Sequence, residues 1–438
     1  MPSAQLAQWQ QLDATVKAWW NSDLARATEK EVRADHGGQL LFVPFPYLTA
    51  FGQPQQDGTM YAWDSDFMSR GAMVHGREEL VRNHITNYLS LIDRYGFMPN
   101  GNVGALLTRS QTPLIADTVW RLYQKTKDRD LLYLAYPRLK KNYRDYWTSP
   151  HHQTPTGLAT NRDLGDPTYR PELAAEAETG LDWTPIFAGD VRRCVPLITN
   201  CALVRYARQL TLMAREIGIG KEAVEFQKLA DTRADLIRHY CWNEAAGYFL
   251  EYDYVSGKQL PYISDCAYWT LWSGVATRDQ ARRLAGNLRM IEQSFGLSCT
   301  DKTYDPPLPL SAYEPPGVAG PDGRAAPFPG IPAAAVGGQG ELQWMYPAGW
   351  APTQLMPIEG LDAYGYGDHA KRIASKFLAL LLDQYQRTGH LWEKYNVVDG
   401  TFVLPNSRYG SVPDYGWTMA AAALLGRRVF YAQSLQTI

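Results

Sequence analysis

The chain contains no apolar run long enough to cross a bilayer, where about 20 residues are needed, so no membrane span is expected. Charge of one sign is also missing: 43 Lys and Arg stand against 45 Asp and Glu, scattered along the sequence. Without a basic stripe there is no footprint for a phosphate backbone, and nucleic acid is not expected as a partner. Cysteine is scarce. Cys194, Cys201, Cys241, Cys266 and Cys299 are odd in number and lack C-x-x-C spacing, which argues for reduced, packed thiols rather than a disulfide framework or a zinc or redox pair. The histidines, of which only His151 and His152 are adjacent, form no spaced ligand set, so neither a metal nor another cofactor is expected. Strand-like alternation is confined to Gly247–Tyr254, which reads as one hairpin arm, and no tandem repeat of fixed period is found. The start, Met1-Pro2-Ser3-Ala4-Gln5, has no basic segment followed by an apolar one, and the expectation is a cytoplasmic protein.

What the chain does have is aromatic side chains, 14 Trp and 27 Tyr, many of them close to Asp, Glu, Asn, Gln or Arg. Some fill the core. The combination also suits a carbohydrate site, because a pyranose offers apolar C–H faces to rings and a rim of hydroxyls to directed polar groups.

Apolar residues recur at helical spacing over twelve segments, near 5–33, 66–76, 78–95, 113–126, 128–147, 196–217, 220–242, 262–275, 277–294, 349–363, 366–387 and 414–435. The chain therefore reads as all-α. Twelve helices of similar length joined by variable polar loops suit a ring of helical hairpins, with the loops at one end lining the site. Residues 301–340 differ, with nine prolines and seven glycines, and read as a long loop or lid. The helical pattern resumes beyond it unchanged, so 1–438 is expected to be a single domain.

Unusual residues concentrate in the loops. Asp182, in Glu178-Thr179-Gly180-Leu181-Asp182-Trp183, is the first candidate for a catalytic acid, since a carboxyl against an indole is poorly solvated and holds its proton more tightly. A helix cap is the plainer role for such an Asp, and also for Asp64 after Trp63. Asn100, Arg109 and Gln111 lie at loop ends, and Tyr169-Arg170-Pro171-Glu172 adds a cation and a carboxylate shortly before Asp182. In Gln343-Trp344-Met345-Tyr346-Pro347-Ala348-Gly349-Trp350 two tryptophans offer a sugar platform. Glu393, beside Trp392, supplies the second carboxylate that glycosidic hydrolysis needs.

These motifs carry a resemblance. Tyr61-Ala62-Trp63-Asp64-Ser65, Phe97–Gln111, Arg170-Pro171-Glu172, Glu178–Trp183, Gln343–Pro352 and Trp392–Asn396 resemble, in order, signature segments of the trehalases of glycoside hydrolase family 37. The resemblance covers residues 40 to 418, with related family 63 glycosidases as neighbours. It implies an (α/α)6 toroid without a metal, acting on a small sugar, best trehalose, with inversion. It implies Asp182 as general acid and Glu393 as general base, with Trp63, Asp64, Asn100, Arg109, Gln111, Arg170 and Glu172 holding the sugar. Tyr61, Gly180, Gln343, Trp344, Tyr346 and Trp350, from the same motifs, complete the expected binding set.

There are departures. Gln56 and Asp57 stand roughly where a family arginine and phenylalanine would be, Met345 and Asn396 replace aspartates, and Pro413 stands where a glutamate is expected. Two alternatives stay open: a family 63-like hydrolase of another small α-glycoside, such as glucosylglycerate or mannosylglycerate, and a non-catalytic carbohydrate-binding toroid.

Overall fold

Twelve helices organise the described residues, beside two short ones, Glu29–Ala34 and Pro171–Ala177, that stand apart from the ring. The structure, a computed structural model, describes residues 3–35, 37–51, 58–167, 169–313, 340–404 and 406–436. The helices are α1 (Ser3–Ser22), α2 (Ala62–Val74), α3 (Glu78–Tyr95), α4 (Ile115–Thr126), α5 (Arg129–Lys141), α6 (Leu197–Glu216), α7 (Gly220–Cys241), α8 (Trp269–Trp272), α9 (Arg278–Asn287), α10 (Ala351–Ala363), α11 (Gly367–Thr388) and α12 (Gly416–Phe430). Local chemistry sets several boundaries. The Asp128 carboxylate accepts from the amides of Asp130 and Leu131 at the start of α5, and left-handed glycines, Gly96 and Gly389, end α3 and α11.

Packing closes a ring. Helix α2 touches α4, α4 touches α6, α6 touches α8, α8 touches α10, α10 touches α12, and α12 returns to α2. Helices α1, α3, α5, α7 and α11 lie outside, against α12, α2 and α4, α4 and α6, α6, and α10 and α12 respectively. This is the (α/α)6 toroid. The inner helices are correspondingly buried on all sides, α2 from Ala62 through Met73 and α10 from Ala351 through Leu361, whereas the outer ones keep one polar face.

An ionic network crosses the ring. Arg70 on α2 binds Glu359 on α10 at 2.8 Å, while Asp117 on α4 accepts from Arg121 at 2.7 Å and from Arg205 and Gln209 on α6 at 2.9 and 2.8 Å. Arg70 also reaches Asp117 at 3.4 Å and Arg121 pairs with Glu359, so four inner helices are tied together by groups that would be costly to bury unpaired. Arg70 lies nearly two turns below Asp64, about 9 Å along α2 at 1.5 Å per residue. No helix among the described residues is long and apolar enough to cross a membrane.

Several expectations are corrected. The first helix stops at Ser22 rather than near 33, because Leu24-Ala25 pairs antiparallel with Tyr47-Leu48 and Asp23 accepts from Thr49 at 2.5 Å. Helix α2 starts at Ala62, so Asp64 lies inside its first turn and is not its cap. The segment near 262–275 shrinks to a 3-10 turn, Asp265–Tyr268, followed by the single turn of α8. The expected hairpin arm is two strands: Tyr248-Phe249 pairs with Trp242-Asn243, and Tyr252-Asp253 with both Cys194-Val195 and Lys258-Gln259. Of the 301–340 loop, residues 314–339 lie outside the described residues, as do Gln56 and Asp57. Its first part is ordered by packing: Tyr304, Leu308 and Tyr313 join Leu173, Leu342 and Met345 in a small apolar cluster.

Candidate active site

The Glu178–Trp183 segment is held from its first residue. The buried Glu178 carboxylate accepts from the amides of Ser110 at 3.2 Å and Arg162 at 2.9 Å, from Asn161 at 3.1 Å, from His152 at 3.1 Å and from Tyr146. Burial alone would raise its pKa; His152 and the converging donors outweigh that and hold it low. The chain then turns through left-handed geometry at Gly180, φ +80°, and again at Trp183, φ +60°, a costly conformation for a bulky residue. Between the two lies Asp182, half-buried. Its pKa is pushed up to about 6, first by burial, against the opposing fields of Lys394 and Arg109.

Glu393 reaches the same place from the far side of the sequence. The strand Lys394–Asn396 pairs antiparallel with Ala348–Trp350, and the Glu393 amide donates to the Val412 carbonyl at 2.7 Å. The side chain accepts from Tyr409 Oη at 2.9 Å through Oε1, while Oε2, 3.7 Å from Lys394 Nζ, makes no hydrogen bond. Burial raises the pKa of Glu393, and so does the charge of Asp182; Lys394 and Tyr409 pull it back. Asp64 faces both. It is buried, and burial pushes its pKa up to about 8, with Glu393 and Asp182 adding to the rise. Three carboxyls thus share one low-dielectric neighbourhood in which burial raises the proton affinity of each.

Indoles form the wall behind them. Trp63, Trp344, Trp350 and Trp417 pack together, Trp344 stacked on Trp350 at 4.0 Å and Trp63 tilted against Trp344 at 5.6 Å. The expected platform is therefore not an open shelf. Its two indoles cover each other, and Lys394 Nζ lies 4.7 Å from the Trp350 ring centre. A second row, Tyr169, Trp183 and Tyr409, meets edge to face beside Asp182.

The other expected residues divide into two groups. Gln343 is at the centre: its Nε2 donates to Asp182 Oδ2 at 3.0 Å and its Oε1 accepts from Lys394 at 3.2 Å. Gln111 accepts from the Trp63 amide at 2.9 Å and so caps α2 from outside, while Asn100 donates to the carbonyls of Ser110 and Ala177. Tyr61 ends the chain leading into α2, and Tyr346, joined to Pro347 by a cis peptide, donates its amide to Thr300. Arg109 is buried and committed to Asp163 at 3.0 Å and Asp166 at 2.6 Å, acting on Asp182 through its field. Arg170 and Glu172 are different. They pair with each other at 2.6 Å near Arg192, and no described contact links them to Asp182 or Glu393.

Sequence reasoning misses Lys394, Tyr409 and Trp417, and also Tyr415, which bonds Asp64, and Arg408, which lies over the Trp183 ring. Lys394 has a signal in its position next to Glu393; the rest come from a loop and a helix start whose composition gives none. Among the described residues no group of three or more His, Cys, Asp or Glu has the geometry to hold a metal.

With this geometry in place, the likeness to known proteins decides the family. The trehalase family model matches residues 3–172, 175–305 and 327–425. The chain belongs to the trehalase family. A curated relative, the cytosolic neutral trehalase of Kluyveromyces lactis, is 25% identical over 91% of this chain and 59% of its own length. The chain thus spans about three-fifths of that relative. Among solved structures, neutral trehalase Nth1 from Saccharomyces cerevisiae superposes with a TM-score of 0.72 at 22% identity, covering 92% of this chain and 82% of that one. The GH63 mannosylglycerate hydrolase from Thermus thermophilus in complex with glucose gives 0.59 at 17% identity, covering 88% of this chain and 96% of that one. Both share the toroid.

Proposed function

We propose that this chain is an inverting α-glycoside hydrolase acting on a small α-glucoside, with trehalose the leading substrate. The observation that carries the reading is the meeting of Asp182 and Glu393, distant in sequence, in one aromatic-walled site, linked through Gln343 and Lys394. Asp182, its pKa raised to about 6, gives its proton to the glycosidic oxygen as the bond to C1 breaks. Glu393 takes a proton from water, whose oxygen forms the new bond to C1 from the opposite face. Asp182 ends ionised and Glu393 protonated, and one proton exchange with solvent resets both. Inversion requires the two carboxyl groups to stand roughly 6.5 to 9.5 Å apart, with water between them.

One hydrophobic core running from Trp9 to Leu435 supports treating the chain as a single catalytic domain. The relatives include cytosolic trehalases and periplasmic ones, and of the two we propose the cytoplasmic location. The test is release of reducing sugar from a panel of α-linked disaccharides and glycosyl-glycerates by wild type, Asp182→Asn and Glu393→Gln. Hydrolysis by wild type, and its loss in both variants, is expected. Sugar binding without hydrolysis would favour the non-catalytic toroid.

A second reading rests on Arg408. Its guanidinium lies over Trp183, 5.1 Å from the ring centre, donates to the Tyr313 carbonyl, and forms no ion pair with a described carboxylate. Trp183 follows the proposed acid, and the charge of Asp182 reaches this cation, which puts it close to the group that would protonate the leaving oxygen. Such a group favours a leaving group bearing a carboxylate, as a glycosyl-glycerate does. A higher kcat/KM for glucosylglycerate than for trehalose, reversed in Arg408→Gln, would establish it.

A further inference from the structure

Lys394 is, among the described residues, the one lysine that is fully buried. Burying an ammonium group is costly unless its surroundings answer the charge, and those surroundings are specific. Nζ stands 3.4 Å from the Tyr409 ring centre and 4.7 Å from that of Trp350, its cross-strand neighbour. It donates to Gln343 Oε1 at 3.2 Å and lies 3.7 Å from Glu393 Oε2. An ammonium group can only donate, so the Gln343 amide must turn its oxygen to Lys394 and its NH2 to Asp182. That NH2 meets Asp182 Oδ2 at 3.0 Å and the Asp182 carbonyl at 3.2 Å. One side chain therefore reaches both proposed catalytic carboxyls, Glu393 directly and Asp182 through an amide whose direction it dictates.

We propose that Lys394 is a positioning residue for both carboxyls, orienting the Gln343 amide that holds Asp182 and countering the charge of Glu393. This rests on the hydrolase reading above. With Oδ2 accepting from Gln343, the proton that Asp182 delivers is carried on Oδ1, which fixes the direction of transfer. Lys394 beside Oε2 and Tyr409 on Oε1 both favour the ionised form of Glu393 that a base requires, against the burial that opposes it. The cation–π faces of Tyr409 and Trp350 hold the ammonium group without a second carboxylate competing for it. Asp64, Arg109, Tyr169, Arg408 and Tyr415 also act on these two carboxyls or feel their charge, and none of them is altered in the variants below.

The test compares wild type, Lys394→Met, Lys394→Arg and Gln343→Leu. The pH dependence of kcat/KM is measured on whichever small α-glucoside wild type cleaves, with folding checked by circular dichroism. Tryptophan fluorescence is followed across the same pH range without sugar, a readout that needs no turnover. In Lys394→Met, kcat is expected to fall about 100-fold, the cost of a misplaced catalytic group. Both limbs of the profile are expected to move to higher pH, since each carboxyl loses a nearby positive charge. Lys394→Arg should restore the limbs toward wild type, and Gln343→Leu should move only the alkaline limb. A folded Lys394→Met protein with unmoved limbs would overturn the proposal. If Lys394→Met does not fold, an unmoved alkaline limb in Gln343→Leu would overturn it instead. If wild type cleaves no α-glucoside, the hydrolase reading fails by itself. The fluorescence titration then decides: an upward shift in Lys394→Met supports the positioning role, and coincident curves refute it.

Discussion

The indole of Trp63 fills the space that a side chain at position 180 would need: a Cβ built on Gly180 would stand 2.8 Å from Trp63 Cζ2. This contact sets how closely the Asp182 turn approaches α2. Gly180 also holds φ +80°, where an L side chain is strained. Gly180→Ala is therefore expected to cost about 1–2 kcal/mol in backbone strain and about 1–3 kcal/mol in overpacking. Chemical denaturation would measure the loss, and kcat should fall with it because Asp182 moves. An unchanged midpoint would mean that the turn yields freely.

Glu178 is expected to matter more for folding than for chemistry. Replacing it with Gln removes a buried charge that faces His152 and several other donors, and leaves at least one donor opposed by the new NH2 group. A loss of about 3–5 kcal/mol is expected, as for breaking other buried pairs. The denaturation midpoint of Glu178→Gln checks this, and a change within about 0.5 kcal/mol, ordinary for a surface substitution, would contradict it.

Stability should depend on pH in a direction set by the buried acids. Burial pushes Asp64, Glu251 and Asp265 up to about 8, and Asp23 and Asp66 up to about 7. In the unfolded chain they ionise near pH 4, so between about pH 4 and 8 the folded state binds more protons and unfolding becomes easier as pH rises. Glu178 and Glu292 act oppositely: their folded pKa values are lowered, Glu292 to about 2, and the stability they add is lost as pH falls below about 4. Thermal unfolding is expected to be latest near about pH 5 and progressively earlier towards about pH 8. A melting temperature that rises over that interval would contradict the assignment of these acids as neutral in the fold.

Much of the ring is legible in the sequence because helix ends and apolar periodicity are local properties. Even α10, buried on all sides and without a polar face, is marked by the Pro and Gly residues at its entry. What cannot be read is local structure overridden from a distance. The first helix has helical spacing beyond Ser22, yet pairing of Leu24-Ala25 with Tyr47-Leu48 ends it. The site divides the same way. Asp182 and Glu393 stand out through their motifs, but the Gln343–Lys394 link depends on two strands meeting across an intervening helix pair, which no spacing announces. Arg170 and Glu172 show the reverse limit, since proximity in sequence to Asp182 does not bring them into contact with it.

The stereochemistry of the first product tests the central claim most directly. Trehalose cleaved by wild type and followed at once by proton NMR should show β-glucose and α-glucose appearing in equal amounts before mutarotation, because attack inverts one C1 and the other sugar leaves unchanged. Early appearance of α-glucose alone would mean retention, and would contradict the assignment of Asp182 and Glu393 as an acid and a base acting through water.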